Sequence, residues 1–285
     1  CRRAARLEEG CRMMALLRSD LHRILRSRWP WVALALVALA TLGGAVLTVW
    51  WPLEPGVVYD GITGRAGALR LAGRGCSIAL VSTIAPFVAA RLSCADSDAG
   101  FDRTLLSSLR GRAAYYAEKY LLAALLTGAL LLAYLVFAGL GVLVTMRPVA
   151  DVEPLWQVAA WAGEGWLVSC AYALAVLLVG QLVRSRAIAF IAAFLLTSAA
   201  VEQGFFSFLL LVDSALGLGW APALEAALAW MPYVALVSVG NGAANLLSVD
   251  ATGLSPAVRA LAVCAPLCAA LTGVGALALS RRDVS

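Results

Sequence analysis

Lysine is all but missing from this sequence: Lys119 stands alone among 22 basic side chains, the rest being arginine. Histidine is as scarce, with His22 the single example, and no two cysteines have the C-x-x-C spacing. Each scarcity closes off a chemistry. A Walker A loop needs a Gly-Lys-Ser/Thr run whose lysine neutralises the β/γ-phosphates; Lys119 follows Glu118, so the chain has no such loop. One histidine, placed before every apolar stretch, leaves no basis for His-rich metal binding or HExxH proteolysis, nor for a serine–histidine pair within a span. Of seven cysteines, Cys76, Cys94, Cys170, Cys264 and Cys268 lie in or beside apolar runs, where cysteine acts as a small buriable residue and not as part of a disulfide framework. Cys264 and Cys268 share a helix face at i, i+4, a spacing that suits helix packing better than metal binding. Nothing in this polypeptide alone reads as an enzyme or as a holder of metal or cofactor.

Charge is scarce too, at 14 % of residues against 62 % hydrophobic, with a mean hydropathy of +0.87. Soluble domains have about 25 % charged residues and about 45–50 % apolar ones. The excess calls for lipid. The net charge of +5 does not indicate nucleic acid, because the arginines flank apolar spans, where membrane topology requires them.

A span needs about 20 apolar residues, since a rise of about 1.5 Å per residue must cross about 30 Å of hydrocarbon. Six segments qualify, near 30–51, 76–93, 120–146, 157–181, 187–212 and 258–280. The expected fold is an all-α integral membrane protein with six transmembrane helices in one domain over 13–285. Met13 and Met14 open a segment that reads as a natural start, so residues 1–12 read as an extension. The Arg-rich start and long apolar run, without a small-residue cleavage site, read as a first membrane anchor. With both ends inside, 17 of the 22 basic residues fall on the inner side; Arg65, Arg70, Arg74, Arg147 and Arg259 remain outside. Residues 221–239 are nearly long enough for a seventh span, but contain Glu225 and Pro232. Short helices dipping into the outer interface within 213–257 and broken at Pro232 are the preferred reading, with seven spans as the alternative.

Residues 13–28 alternate as an amphipathic helix. Met13, Met14, Leu17, Leu21, Ile24 and Leu25 mark one face, and Arg12, Ser19, Arg23 and Arg26 another, as in a helix lying on the inner leaflet against anionic lipid. A solvated basic approach to the first span is the plainer reading. Between spans two and three, Gly100 and Gly111 bracket a short helix with Phe101, Leu105, Leu106 and Leu109 on one face and Asp102, Arg103, Ser107 and Arg110 elsewhere. Such a stripe suits partner docking, or packing on the chain's own membrane domain. Glu202 lies about 15 residues into span five, where an unpaired carboxylate is costly; a transport path and a packing hydrogen bond to Gln203, Ser198 or another chain are both open. Glu164, near the outer end of span four, reads as interfacial with a transport path as the alternative, and Gly43–Gly44 and Gly139–Gly141 as sites of close helix approach.

The order of these features resembles the permease subunits of ABC-2-type exporters. The likeness rests on MMALLRSDLHRILRSRWPW at the start, an acidic inner loop with a glycine, an aromatic and TLLSSLRGR, and Lys119 opening the third span. It continues through the basic turn Arg184–Arg186, the long outer connection and the SRRDV ending, and so covers Met13 to Val284. The order and spacing of these motifs carry the likeness. The resemblance implies a type V exporter-like fold in a bacterial plasma membrane. It also implies that Phe101–Arg110 is a coupling helix seated in a groove of a separate ATPase, and that Leu16–Arg28 is a connecting helix touching that ATPase. Two ATPase chains, carrying ATP and Mg, and a second permease chain, identical or paired, would complete the machine. A non-pumping scaffold or immunity-type protein is the alternative from another class. A secondary transporter stands third, for want of related halves or several midplane ionisable groups.

The charge split has a direct check. In a background whose native cysteines are replaced by alanine, Ser285→Cys is expected to resist an impermeant maleimide in intact cells and to react after permeabilisation. Labelling from outside would instead support seven spans.

Overall fold

The computed structural model describes residues 14, 17–50, 79–98, 112–145, 154–183, 185–198, 200–217, 219–240 and 253–280, and among these it is helical apart from short turns, without strands. The elements are α1 (residues 17–26), α2 (Trp29–Trp50), α3 (Ala79–Asp98), α4 (Arg112–Thr145), α5 (Leu155–Val183), α6 (Arg186–Thr197), α7 (Ala200–Leu216), α8 (Ala221–Leu228), α9 (Pro232–Val239) and α10 (Pro256–Ser280). Four of them, α2, α4, α5 and α10, contain stretches long and apolar enough to cross a membrane, and six candidates result if the bent pairs α6–α7 and α8–α9 each count as one. Residues 79–95 of α3, which overlap the expected second span near 76–93, form a shorter apolar helix.

The junction between α1 and α2 follows from local chemistry. Ser27 ends α1 by donating both its N–H and its hydroxyl to the Ile24 carbonyl, at 2.9 and 2.7 Å. Trp31 Nε1 donates to the Leu25 carbonyl at 2.9 Å, so terminal carbonyls that α1 cannot satisfy itself find partners. Pro30, which has no N–H to lose, stands in the first turn of α2.

Helix α5 is the axis of the bundle. It packs against α3, α4, α6, α9 and α10, and 61 % of its candidate span is buried, against 17 % for α10. Small residues let α3 approach it closely: Ala85, Ala89 and Ala90 on α3 and Ala171 and Ala173 on α5 are all buried. Pro86 removes one backbone hydrogen bond inside α3, the one that would return to the Ser82 carbonyl. The Ser82 hydroxyl lies 2.7 Å from that of Ser169, whose own proton goes to the Gly165 carbonyl at 2.6 Å, so Ser82 is the donor across the α3–α5 interface. Near the ends of the same two helices, Gly180 lies against Ser93. The two helices therefore run parallel.

The expected fifth span, 187–212, is interrupted: α6 and α7 meet at 61°. Thr197 turns its hydroxyl back to the Ala193 carbonyl at 2.8 Å, and Ser198 to that of Leu195 at 3.1 Å, which satisfies carbonyls at the end of α6 and favours a bend. Periodicity cannot register such a break, because the residues from Phe194 to Val201 are all apolar or small. The expected division of 221–239 at Pro232 is observed, with α8 and α9 meeting at 57°. Of the glycines read as close-approach sites, Gly141 qualifies, since a Cβ there would sit 2.9 Å from that of Ala45 on α2, whereas Gly43 and Gly139 face open space.

Gly180→Ala would place a methyl 2.8 Å from Ser93 Cβ and 3.2 Å from Ala189 Cβ. It is expected to cost about 1–3 kcal/mol and lower the thermal midpoint of the detergent-solubilised protein. Gly163→Ala, into open space on the same helix, should leave the midpoint unchanged or raise it; equal behaviour of the two would contradict the close α3–α5 contact.

Candidate functional site

Two polar constellations stand out from the apolar bundle. The first joins α1 to α4. Lys119 is buried, 3 % exposed, in the early turns of α4, and its ammonium forms an ion pair with Asp20 of α1. The same carboxylate lies 3.6 Å from Arg23, one turn further along α1. Lys119 also lies over the Tyr115 ring, 5.1 Å from its centroid. A cation in an apolar setting must be paired, and the only lysine in the sequence has found its carboxylate 99 residues away. Its neighbour Glu118 is fully buried too.

That pairing sets how the amphipathic stripe is used. Leu17 and Ile24 pack against the bundle core. Met14, Leu21 and Leu25 stay outside it, at 64, 37 and 50 % exposure, and form an outward apolar ridge. The stripe read from sequence as one membrane-facing surface is thus divided between the protein and its surroundings. Arg23 is exposed beside Asp20.

The second constellation holds α9 at both ends. Pro232 is the first residue of α9 and Met231 supplies no side-chain cap. Glu202, near the start of α7, does so from another helix: one carboxylate oxygen accepts from the Tyr233 N–H at 3.0 Å and the other from the Tyr172 hydroxyl of α5 at 3.5 Å. An acid beside the N-terminal N–H groups of a helix also meets the positive end of its dipole. At the other end, Trp161 Nε1 of α5 donates to the Val239 carbonyl at 2.7 Å, and Arg259 Nη2 of α10 donates to the Ser238 hydroxyl at 2.9 Å. Ala235, Leu236 and Val239 are buried between these ties. The turn before α8 is closed in the same way. Asp213 of α7, 7 % exposed, accepts from the N–H groups of Trp220 and Ala221 at 2.7 and 3.0 Å, while Gly217 and Gly219 take positive φ angles of 62° and 71°.

Glu202 therefore has structural partners, Tyr233 and Tyr172, other than the Gln203 or Ser198 weighed from sequence; Gln203 itself is exposed. Glu164, read as interfacial from its position near one end of α5, is enclosed at 6 % exposure, and its Oε2 has no hydrogen-bond partner among the described residues. Cys264 is buried and Cys268 Sγ lies 3.9 Å from the Leu167 carbonyl, so this cysteine face packs on α5. Phe101, Asp102, Arg103, Leu105, Leu106, Leu109 and Arg110 lie outside the described residues. Sequence reading passed over Asp20, Asp213, Tyr172 and Tyr233. For Asp213 a signal existed: an acid late in an apolar run followed by Ser-Ala-Leu-Gly-Leu-Gly marks a turn with a side-chain acceptor. No family model matches the chain, and no curated protein matches it.

Glu202→Leu removes the acceptor for a backbone N–H inside the bundle and is expected to cost about 1–3 kcal/mol. Glu202→Gln retains an oxygen and should lose less. The thermal midpoint in detergent and amide exchange across 232–239 measure both effects. Wild-type values for Glu202→Leu would mean that the carboxylate does not hold α9.

Proposed function

We propose that this chain is the transmembrane permease subunit of an ATP-driven exporter. It crosses a bacterial plasma membrane six times with both ends inside, has a type V exporter-like fold, and works with two separate ATPase chains and a second permease chain. Its substrate is amphipathic: a peptide, lipid, antibiotic or similar molecule. The observation that carries this reading is the ion pair between Asp20 and Lys119. A pump driven from outside the membrane needs its surface elements fastened to its spans. Here the amphipathic α1 is tied to α4, the helix that directly follows the 101–110 segment, and α4 packs in turn on α2, α3, α5 and α10. Force applied to α1 or to the preceding segment would reach four neighbouring helices through one half-buried charge pair. The absence of a nucleotide loop fits a chain whose energy source is another polypeptide. The polar ties on α9 fit a membrane protein that keeps a broken helix inside its bundle, since hydrocarbon offers no partners for the freed backbone groups.

The purified single chain is expected to bind no ATP, with ATPase activity appearing only alongside its partner. Phe101→Asp would bury an unpaired charge in the docking groove, so ATPase co-purification and transport should fall by orders of magnitude at normal membrane abundance. Ser107→Asp, off the apolar stripe, should be nearly silent. Asp20→Asn, which strands Lys119, should lower the thermal midpoint, free α1 from α4 and uncouple hydrolysis from transport in the protein that still folds. Micromolar nucleotide binding by the chain alone, or full recruitment and transport with Phe101→Asp, would count against the subunit reading; recruitment without any transport would favour a scaffold.

A further inference from the structure

Where α1 turns into α2, a cleft of about 310 Å³ opens between these helices and α3, closed at the back by Leu126 of α4 and Phe190 of α6. Its walls are apolar, built from residues such as Leu36, Ile84, Phe87 and Val88. Two guanidinium groups, Arg23 and Arg91, belong to its lining. Arg91 lies over the Trp29 ring, 5.6 Å from its centroid. Stacking engages the face of a guanidinium, whereas phosphate recognition uses the donors in its plane, so the contact orients Arg91 without opposing anion binding. Asp20, the acid beside Arg23, is shared with Lys119.

An apolar slot with two arginines has the chemistry of an anionic amphiphile. The volume lies at the lower end of the range of about 300–1,000 Å³ for small-molecule sites, enough for a headgroup and part of one chain but not for a folded peptide. Trp29 and Trp31, 51 and 57 % exposed beside the cleft, are residues of the headgroup level of a bilayer. We propose that this cleft holds one anionic phospholipid from the adjoining leaflet, its phosphate between Arg23 and Arg91 and one acyl chain along Leu36, Phe87 and Val88. Seated there, the lipid bridges α1, α2 and α3 and makes the position of the amphipathic helix depend on membrane composition. The assignment requires membrane insertion and is independent of an ATPase partner.

Native mass spectrometry of the full chain, released from vesicles of equal phosphatidylglycerol and phosphatidylcholine, tests this directly. One retained phosphatidylglycerol per chain is expected, with at least about tenfold preference over phosphatidylcholine, the scale of a charge-assisted contact. Arg91→Gln and Arg23→Gln should each lose most of that preference. Val88→Trp, which fills the slot and keeps both charges, should lose the retained lipid altogether. Arg18→Gln removes the same charge from α1 outside the cleft and should retain the wild-type preference. Far-ultraviolet circular dichroism and the thermal midpoint identify any variant that fails to fold, and lipid retention is compared among the folded ones. Equal retention of the two lipids by the wild type, an Arg18→Gln loss as large as that of Arg91→Gln, or undiminished retention by Val88→Trp would each overturn the assignment.

Discussion

Hydrocarbon offers a backbone N–H or C=O no partner, and each such group left unpaired there costs several kcal/mol. Unbroken helices meet this demand internally, which is why α2, α4 and α5 can be long; α10, with Pro266 inside it, gives up one such bond. The demand becomes visible only where a helix breaks. At the start of α9, Pro232 and the uncapped Met231 leave the helix end to be satisfied from outside, and Glu202 reaches in from α7 to accept the Tyr233 N–H. At its end Trp161 takes the Val239 carbonyl. Asp213 does for the turn before α8 what Glu202 does for α9. Two of the acids among these apolar segments, Glu202 and Asp213, are thus accounted for by backbone groups that breaks have exposed.

The same constraint applied to charge accounts for the other end of the bundle. Lys119 would be untenable in its buried position without an anion, and Asp20 supplies one by bringing α1 against α4. Local geometry then does the rest: Ser27 and Trp31 close the end of α1, and Pro30 starts α2 in a new direction. A surface helix and a bundle helix become one mechanical unit through a pair of side chains nearly one hundred positions apart, and the exporter reading and the lipid cleft both use that unit.

Much of this was legible in residue order. Long apolar runs bounded by arginine specify helices of spanning length whatever their neighbours, because length and hydropathy are properties of a segment alone. The break at Pro232 was legible for the same reason, since proline carries its effect with it. The bend between α6 and α7 was not, because Thr197 and Ser198 resemble ordinary helix residues until their hydroxyls are seen turned onto the preceding carbonyls. Among the glycines, spacing could not separate Gly141, pressed against Ala45, from Gly139, which faces open space. That distinction depends on which helix lies opposite.

By itself, then, the sequence determined a helical fold with several apolar helices of spanning length, an arginine-rich amphipathic segment before them, and no Gly-Lys-Ser/Thr run of a Walker A loop. These are composition, periodicity and missing residue types, all counted along one strand of chain. Only the tertiary structure decided that Lys119 meets Asp20, that Glu202 serves α9, that Glu164 is enclosed within the bundle, and that Arg23 and Arg91 share a cleft. Each is a meeting of side chains tens of residues or more apart in sequence, or the enclosure of one by others. Which helix faces which is settled by small-residue packing around α5 and by the need to pair every buried polar group, neither of which has a period that a single segment can display.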